Sequence, residues 1–344
     1  MIIEKHKGKD GVMVYIVDKN MTDTEADKLK GTELKRSMIK FIIKEDADVY
    51  NKDNLLLLRF RKNALGKKNT DMFYDNVKEF AQNITTNRGI ASGSEKKKGN
   101  KEKVKIMANI LGYMDGFSPS QKIAMKQKDL MTKLNVRESR FNIAFPDKWE
   151  KAQPLIRDID RLYKKYCPGH YRKQRAKADE TFYRIKDTAF TTITVNINFK
   201  THVHQDKGDD TDGFGNLVVI EGEGSYTGSE TCFPQYGIGV DVRTGDVAFM
   251  NVHEWHANLP LKLKTKDSKR MAIVSYLRTK IWEKTKGLTK KRVRDHDDKV
   301  RKLSGSDPRP KTPRRTVKQK GKSKKTKKQQ NKRRKNKTKR SWLI

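Results

Sequence analysis

Residues 201–277 decide the fold, because they combine closely spaced histidines, an acidic residue and strand-like alternation. The segment opens with T-H-V-H-Q-D-K-G-D-D (201–210), continues through T-G-D-V-A-F-M-N-V-H-E-W-H (244–256) and ends with R-M-A-I-V-S-Y-L (270–277). It holds four of the chain's seven histidines. Just upstream, apolar and polar residues alternate over residues 193–199, a period of two that is typical of a strand.

The tripeptide H-x-D offers a pair of metal ligands. His204 and Asp206 stand two residues apart, so on a continuing strand both side chains would project from one face. A third ligand from a distant segment would complete a set of two histidines and one carboxylate, which suits non-haem Fe(II) and leaves coordination positions open. The tripeptide alone is short and common, and a solvent-facing polar edge with idle histidines is the alternative.

A second alternating run begins with an arginine. Arg270 comes fourteen residues after His256 and shares one predicted strand face with Ala272, Val274 and Tyr276. A guanidinium is planar and can donate two parallel hydrogen bonds to a carboxylate. The small side chain of Ala272 would leave room for a ligand beside the Arg270 guanidinium.

The order of H-x-D, turn, His and Arg resembles the double-stranded β-helix oxygenases that use Fe(II) and 2-oxoglutarate. The stretches G-F-G-N-L-V-V-I (213–220), C-F-P-Q-Y-G-I-G-V-D-V-R-T-G-D-V-A-F (232–249) and W-H (255–256) resemble, more narrowly, the TET/JBP family. Upstream, N-R-G-I-A-S-G (87–93) and N-I-L-G-Y-M-D (109–115) resemble that family's N-R-G-x-x-x-G and G-Y-x-D segments. Members of the family oxidise the methyl group of a pyrimidine in DNA.

The resemblance implies an Fe(II) centre, with 2-oxoglutarate and O2 as cosubstrates. Its metal-binding and catalytic residues would be His204, Asp206 and His256. His204 is preferred to His202 because only His204 has a carboxylate two residues on. Arg270 would hold the distal carboxylate of 2-oxoglutarate.

The resemblance also implies contacts with a target base that has flipped out of a DNA duplex. The residues concerned are Asn87, Arg88, Asp209, Tyr276 and Arg278. Tyr276 would stack on the base, whereas Arg278 stands where the family often has a histidine. Ala272 stands where the family often has a serine or threonine. Asn87 has an alternative reading as an ordinary loop residue that caps a turn.

Composition indicates a polyanionic partner. Lys and Arg number 79 against 42 Asp and Glu, a net charge of +37 over 344 residues, which favours nucleic acid. Residues 308–344 hold 18 Lys or Arg and no acidic residue, a composition that cannot bury a core. DNA is the expected partner, with RNA as a further possibility. The two cysteines fit no metal or redox motif, and neither a signal peptide nor a run of ~20 apolar residues is evident. We therefore expect an intracellular protein that is not secreted, has no membrane partner and acts in the nucleus or wherever the DNA is. A monomer is the expected state, although the sequence does not determine it.

The resemblance implies an α+β fold, with a double-stranded β-helix (jelly-roll, cupin-like) core and flanking helices, and the composition predicts a disordered basic C-terminal tail. The expected domains are an N-terminal extension packed on the core (1–65), a dioxygenase domain (66–285) and a basic, largely disordered tail (286–344). Within them, we expect a helix from Thr22 toward Ile43.

The expected activity is oxidation of a pyrimidine 5-methyl group in DNA. Asp209 ranks 5-methylcytosine ahead of thymine, because a carboxylate can accept a hydrogen bond from the exocyclic amino group of cytosine. A protonated Asp209, a bridging water or Arg278 would instead favour the thymine carbonyl. Two alternatives stay open: a 2-oxoglutarate-dependent hydroxylase of protein side chains, and a catalytically inactive nucleic-acid-binding protein.

Overall fold

The computed structural model describes residues 1–93 and 104–303. Its strands are β1 (Ile2–Lys7), β2 (Met13–Val17), β3 (Phe41–Ile43), β4 (Ala47–Asn51), β5 (Leu56–Arg61), β6 (Met107–Asp115), β7 (Val136–Glu138), β8 (Thr192–Ile197), β9 (Gly215–Glu221), β10 (Tyr226–Gly228), β11 (Thr231–Phe233), β12 (Ile238–Val240), β13 (Val247–Met250), β14 (Ala257–Asn258), β15 (Leu261–Leu263) and β16 (Arg270–Tyr276). Its α-helices are α1 (Asp23–Lys28), α2 (Lys67–Ala81), α3 (Pro119–Gln127), α4 (Arg140–Ala144), α5 (Pro146–Tyr166), α6 (Pro168–Asp179), α7 (Thr279–Thr285) and α8 (Lys290–Leu303).

A ten-stranded sheet, here called the main sheet, runs in the order β1-β2-β4-β5-β13-β9-β16-β8-β6-β7. Its neighbours are antiparallel except β2 and β4. A four-stranded minor sheet has the order β14-β11-β12-β3, and β10 pairs with β15. The N-terminal residues therefore complete both sheets: β5 pairs with β13, and β3 pairs with β12.

Period-two alternation on β8 and β16 gives the main sheet two different faces. Ile193 and Val195 on β8, with Met271 and Ile273 on β16, pack against α2 and α5 in one apolar cluster. The alternate residues of both strands face the other way and line a cavity. The sheet therefore separates a helical layer from the functional side of the molecule.

The minor sheet covers that second face. Phe233 and Ile238 from the minor sheet share an apolar cluster with Leu217, Ala248 and Met250 from the main sheet. Two facing sheets with helices on the outer side of one of them confirm the predicted α+β fold with a double-stranded β-helix core. None of the helices within residues 1–93 and 104–303 has the length and apolar composition needed to cross a bilayer.

Two local predictions were wrong. Strand β8 does not continue to Asp206, because Asn198 adopts a left-handed conformation (φ +51°) and the chain leaves the sheet there. The helix that begins after Thr22 ends at Lys28, and Gly31 (φ +66°) turns the chain away. Thr22 nevertheless caps this helix, as expected, in a reciprocal capping box with Glu25.

Part of the predicted tail is helical. Residues 290–303, which sequence composition placed in the tail, form α8, and its side chains His296 and Val300 are buried. The amphipathic pattern of α8 was obscured by its high content of charge. The expected disorder of residues 304–344 and the charged loop at 94–103 lie outside the described residues.

Candidate active site

Three residues from two separate segments form a possible metal site. His204 and Asp206 lie in the loop that follows β8, and His256 immediately precedes β14. A two-residue antiparallel bridge joins the segments: the His204 N–H donates to the His256 carbonyl at 3.0 Å, and the His256 N–H donates back at 2.9 Å. Asp206 is tied down separately, by its N–H to the Val252 carbonyl at 2.9 Å. One potential ligand atom from each of the three residues lies within 4.8 Å of the others.

Backbone carbonyls set the tautomers of both histidines. Nδ1 of His204 lies 2.7 Å from the His202 carbonyl, and Nδ1 of His256 lies 2.9 Å from the Glu254 carbonyl. A carbonyl oxygen can only accept, so each Nδ1 carries the proton. The lone pairs of both Nε2 atoms then face Asp206, at 3.6 Å and 3.7 Å from its two carboxylate oxygens. Metal-binding histidines in proteins commonly have this arrangement.

The charge states suit a cation. Burial, and then the charge of His204, lowers the pKa of His256 to about 4, so its ring is neutral near pH 7. Burial works to raise the pKa of Asp206, but the two histidines hold it below its usual value. The neutral imidazole of His256 and the ionised carboxylate of Asp206 therefore suit an iron-type ion.

Arg270 is a buried cation that forms no ion pair with a carboxylate of the described residues. Its side chain is 2% exposed, and its Nε has no hydrogen-bond partner among the described residues. Burial lowers the pKa of the guanidinium. The nearby acid Asp241 is already ion-paired with Arg243 at 2.7 Å. Because an unpaired buried charge is costly, the site fits a carboxylate ligand such as the distal end of 2-oxoglutarate.

A cavity of about 510 Å³ joins the possible metal site to Arg270. Its walls come from both sheets, and every sequence-predicted site residue lines it. These residues are Asn87, Arg88, His204, Asp206, Asp209, His256, Arg270, Tyr276 and Arg278.

Asp209 and Arg278 form one wall together. The Arg278 guanidinium lies 3.7 Å from Asp209 and donates from Nε to Asp115 at 3.0 Å. It also lies over Gly208, where an added Cβ would be 1.8 Å from Nη1. Burial, and then the charge of Asp206, raises the pKa of Asp209 well above its usual value, although Arg278 opposes this shift.

Arg88 and Tyr276 are linked through a shared threonine. Arg88 donates to Thr194 Oγ1 at 2.7 Å, and the same oxygen lies 3.3 Å from the Tyr276 hydroxyl. Tyr276 is 9% exposed. Asn87 also reaches the cavity, and its amide oxygen accepts from Thr85 at 3.1 Å.

His202 and His253, the two other histidines of residues 201–277, lie outside the possible metal site. His202 packs beside Gly93, and its N–H donates to the Ala91 carbonyl at 2.8 Å. His253 lies 3.2 Å from the Asp210 carbonyl through Nε2. Neither belongs to the cluster of metal-type ligands found among the described residues.

Sequence reasoning assigned no role to several cavity residues. Asp115 fell within the G-Y-x-D segment, which was a signal for it, but its pairing with Arg278 depends on the fold. Thr231 and Asn258 line the cavity from the minor sheet. Asn258 is two residues after His256, on the same side of a short strand, and this spacing was the available signal.

Comparisons with known proteins address the same region. Residues 114–279 match the Tet_JBP family model, which represents the oxygenase domain of the 2OGFeDO superfamily. Thymine dioxygenase JBP1 of Trypanosoma brucei brucei is 30% identical over 172 residues, which are 49% of this chain and 20% of that protein. The bifunctional helicase and thymine dioxygenase JBP2 of Leishmania infantum is 36% identical over 129 residues, which are 38% of this chain and 12% of that protein.

The chain thus spans a fifth or less of the length of these two curated relatives. A solved structure of NgTET1 in complex with 5mC DNA aligns with a TM-score of 0.45 at 13% identity, covering 79% of this chain and 84% of that chain. The family match confirms the resemblance that the motifs indicated. Residues 114–279 of this chain are therefore similar to the Tet_JBP oxygenase domain of the 2OGFeDO superfamily.

Proposed function

We propose that the chain is an Fe(II)- and 2-oxoglutarate-dependent dioxygenase that oxidises the 5-methyl group of a pyrimidine in DNA. The observation that carries this proposal is that one cavity contains His204, Asp206 and His256 together with Arg270, a cation without an ion-pair partner among the described residues. The first three suit the metal and the fourth suits a dicarboxylate cosubstrate. A catalytically inactive binding protein would have no need to keep an unpaired buried guanidinium.

Each residue has a role that its contacts support. The Nε2 atoms of His204 and His256, with an Asp206 oxygen, would hold Fe(II), and the Nδ1 contacts with backbone carbonyls would fix both rings. Arg270 would pair with the distal carboxylate of 2-oxoglutarate and so orient its 2-oxo acid end toward the metal. When bound, the metal, 2-oxoglutarate and O2 supply the oxidising power for hydroxylating a C–H bond.

The other end of the cavity suits a flipped base. A methyl group inside a duplex cannot reach a buried metal, so the nucleotide must leave the stack. Tyr276 presents a ring that is fixed through Thr194, and Asn87 presents an amide edge. The net charge of +37 supports a polyanionic substrate, and we place the protein's action wherever cellular DNA is held.

Thymine becomes the leading base and 5-methylcytosine the second. Asp209 alone would favour the amino group of cytosine, which was the reason for the sequence-based ranking. The Arg278 guanidinium, however, lies within 3.7 Å of Asp209 on the same wall, and a guanidinium can donate to the 4-carbonyl of thymine. The named relatives are thymine dioxygenases. Both considerations support the reversed order.

The test supplies the protein with Fe(II), 2-oxoglutarate and duplexes that contain thymine, 5-methylcytosine or unmodified cytosine. Nucleoside mass spectrometry would quantify the hydroxymethyl products and a parallel assay would measure succinate. We expect 5-hydroxymethyluracil as the main product. Dominant 5-hydroxymethylcytosine would restore the original ranking. Succinate without any modified base, together with hydroxylated protein side chains, would support the alternative class of protein hydroxylase.

A further inference from the structure

The wall of the cavity opposite Ala272 carries a hydroxyl whose proton has no assigned acceptor. Thr231, on β11, is 6% exposed and lines the same cavity as Arg270. Its Oγ1 accepts a hydrogen bond from Asn258 Nδ2 at 3.1 Å. Among the described residues, no group accepts the Thr231 proton, so the hydroxyl can still donate into the cavity.

The orientation of the Asn258 amide follows from its partners. Nδ2 also lies 3.2 Å from the Ser229 carbonyl, which can only accept. The opposite atom, Oδ1, accepts from the Thr201 hydroxyl at 2.7 Å. Reversing the amide would therefore set oxygen against oxygen at Ser229 and leave the NH₂ group facing Thr201. The amide must donate to Thr231, so the Thr231 proton is left to donate to a ligand that offers an acceptor, such as a carboxylate.

The Ser229 carbonyl connects this network with Arg270. It accepts from Asn258 Nδ2 and, at 3.5 Å, from Arg270 Nη2. Ser229 holds an unusual left-handed conformation for a residue other than glycine (φ +66°), a cost that often marks a functional position. The Ser229 carbonyl therefore helps to orient the Arg270 guanidinium directly, and it helps to orient the Thr231 hydroxyl through Asn258.

We propose that Thr231, oriented by Asn258, donates a hydrogen bond to the distal carboxylate of 2-oxoglutarate beside Arg270. This inference rests on the proposed function, because it assigns a further contact to its cosubstrate. Ala272 offers no hydrogen-bonding side chain on the main-sheet side, so the second donor comes from the minor sheet. Thr231 is then a specificity-determining residue for a dicarboxylate, and Asn258 is a positioning residue that acts through it.

The test measures the Kd of 2-oxoglutarate for the Fe(II)-loaded full chain without oxygen. The visible charge-transfer absorption reports binding, and calorimetry checks the value. Thr231→Val keeps the shape of the side chain and removes the donor, and we expect the Kd to rise about tenfold or more, as for a lost hydrogen bond to a charged group. Thr231→Ser should retain nearly native affinity. Asn258→Asp turns the amide donor into an acceptor, so it should weaken binding at least as much.

A ligand control separates this role from a structural one. 2-Oxovalerate has the same 2-oxo acid end but no distal carboxylate, so wild type and Thr231→Val should bind it equally. Thr70→Val, a buried threonine in α2, is the matched protein control and should leave both affinities unchanged.

Two results would overturn the inference. One is an unchanged Kd for 2-oxoglutarate in Thr231→Val. The other is an equal loss of both ligands, which would indicate general damage to the pocket. If the wild-type protein with Fe(II) fails to bind 2-oxoglutarate at all, the proposed function fails and takes this inference with it, so the two failures are distinguishable.

Discussion

Asp206 is the residue on which the metal site converges, since both histidine Nε2 atoms face it. Asp206→Ala removes the only carboxylate of the cluster. We expect Fe(II)-dependent succinate formation to fall at least ~100-fold, because even partners behind metal ligands are commonly worth 10–100-fold. DNA affinity, measured by fluorescence anisotropy, should stay nearly native. Asp212→Ala, at a half-buried carboxylate paired with Lys173 and Lys177, is the control. Substantial activity in Asp206→Ala would show that this cluster does not hold the metal.

Gly208 gives a way to move Arg278 without changing its charge. A Cβ at this position would overlap the guanidinium, so Gly208→Ala should displace Arg278 from Asp209 and Asp115. If Arg278 selects the carbonyl of thymine, the ratio of thymine to 5-methylcytosine oxidation should fall about tenfold, the worth of one good hydrogen bond to a charged group. Gly169→Ala, where a Cβ meets nothing within 4 Å, should leave this ratio alone. An unaltered ratio in Gly208→Ala would remove Arg278 from base selection.

At the scale of elements, alternation in the sequence predicted which residues share a strand face, but it did not predict where the strand β8 ends. Alternation placed Arg270, Ala272, Val274 and Tyr276 on one face, and all four line the cavity. The chain's exit at Asn198 was not readable, because its left-handed conformation is stabilised by tertiary partners: its side chain donates to the Ser268 carbonyl and accepts from the Arg270 N–H. His204 and Asp206 therefore converge through the bridge to His256, which local sequence does not encode.

Helix α8 shows the same limit, since a buried histidine is among the contacts that dock it. His296 Nε2 donates to the Val136 carbonyl, and Nδ1 lies 2.8 Å from the Thr132 hydroxyl. Removing these contacts by His296→Ala should lower the free energy of unfolding by about 1–3 kcal/mol, measured by urea titration. The same exchange at the exposed His6 should have no measurable effect. An unchanged midpoint in His296→Ala would mean that α8 is held by other contacts.

The pH dependence of this docking has a defined sign. Burial lowers the pKa of His296 below 6.5, with Asp297 opposing and Lys299 assisting the shift. The unfolded chain then binds more protons than the folded one just below pH 6.5, so the free energy of unfolding falls as the pH drops. His296→Gln should lose less stability than wild type between pH 7 and 5. Parallel pH curves for the two proteins would contradict this account.

At the scale of the whole molecule, charge is concentrated at one end of the sequence. Residues 308–344 carry 18 of the 79 Lys and Arg residues. Deleting them should weaken binding to any duplex and flatten its dependence on salt, because fewer counterions are released. Turnover at saturating DNA should stay near wild type. An unchanged salt slope would show that this segment is not the main contact with DNA.

The pairing of the N-terminal strands with late ones has a consequence for biosynthesis. β3 pairs with β12, and β5 pairs with β13. Residues 41–43 therefore cannot form their sheet pairing before residues 238–240 are made, and residues 58–61 cannot form theirs with β13 before residues 247–250 are made. Such distant pairings make folding slow. When residues 1–61 have been translated, β3 and β5 are therefore complete, but their partners β12 and β13 have not yet been made. Neither sheet can close until residues well past His204 have emerged, so the two walls of the cavity should form together, late and nearly all at once.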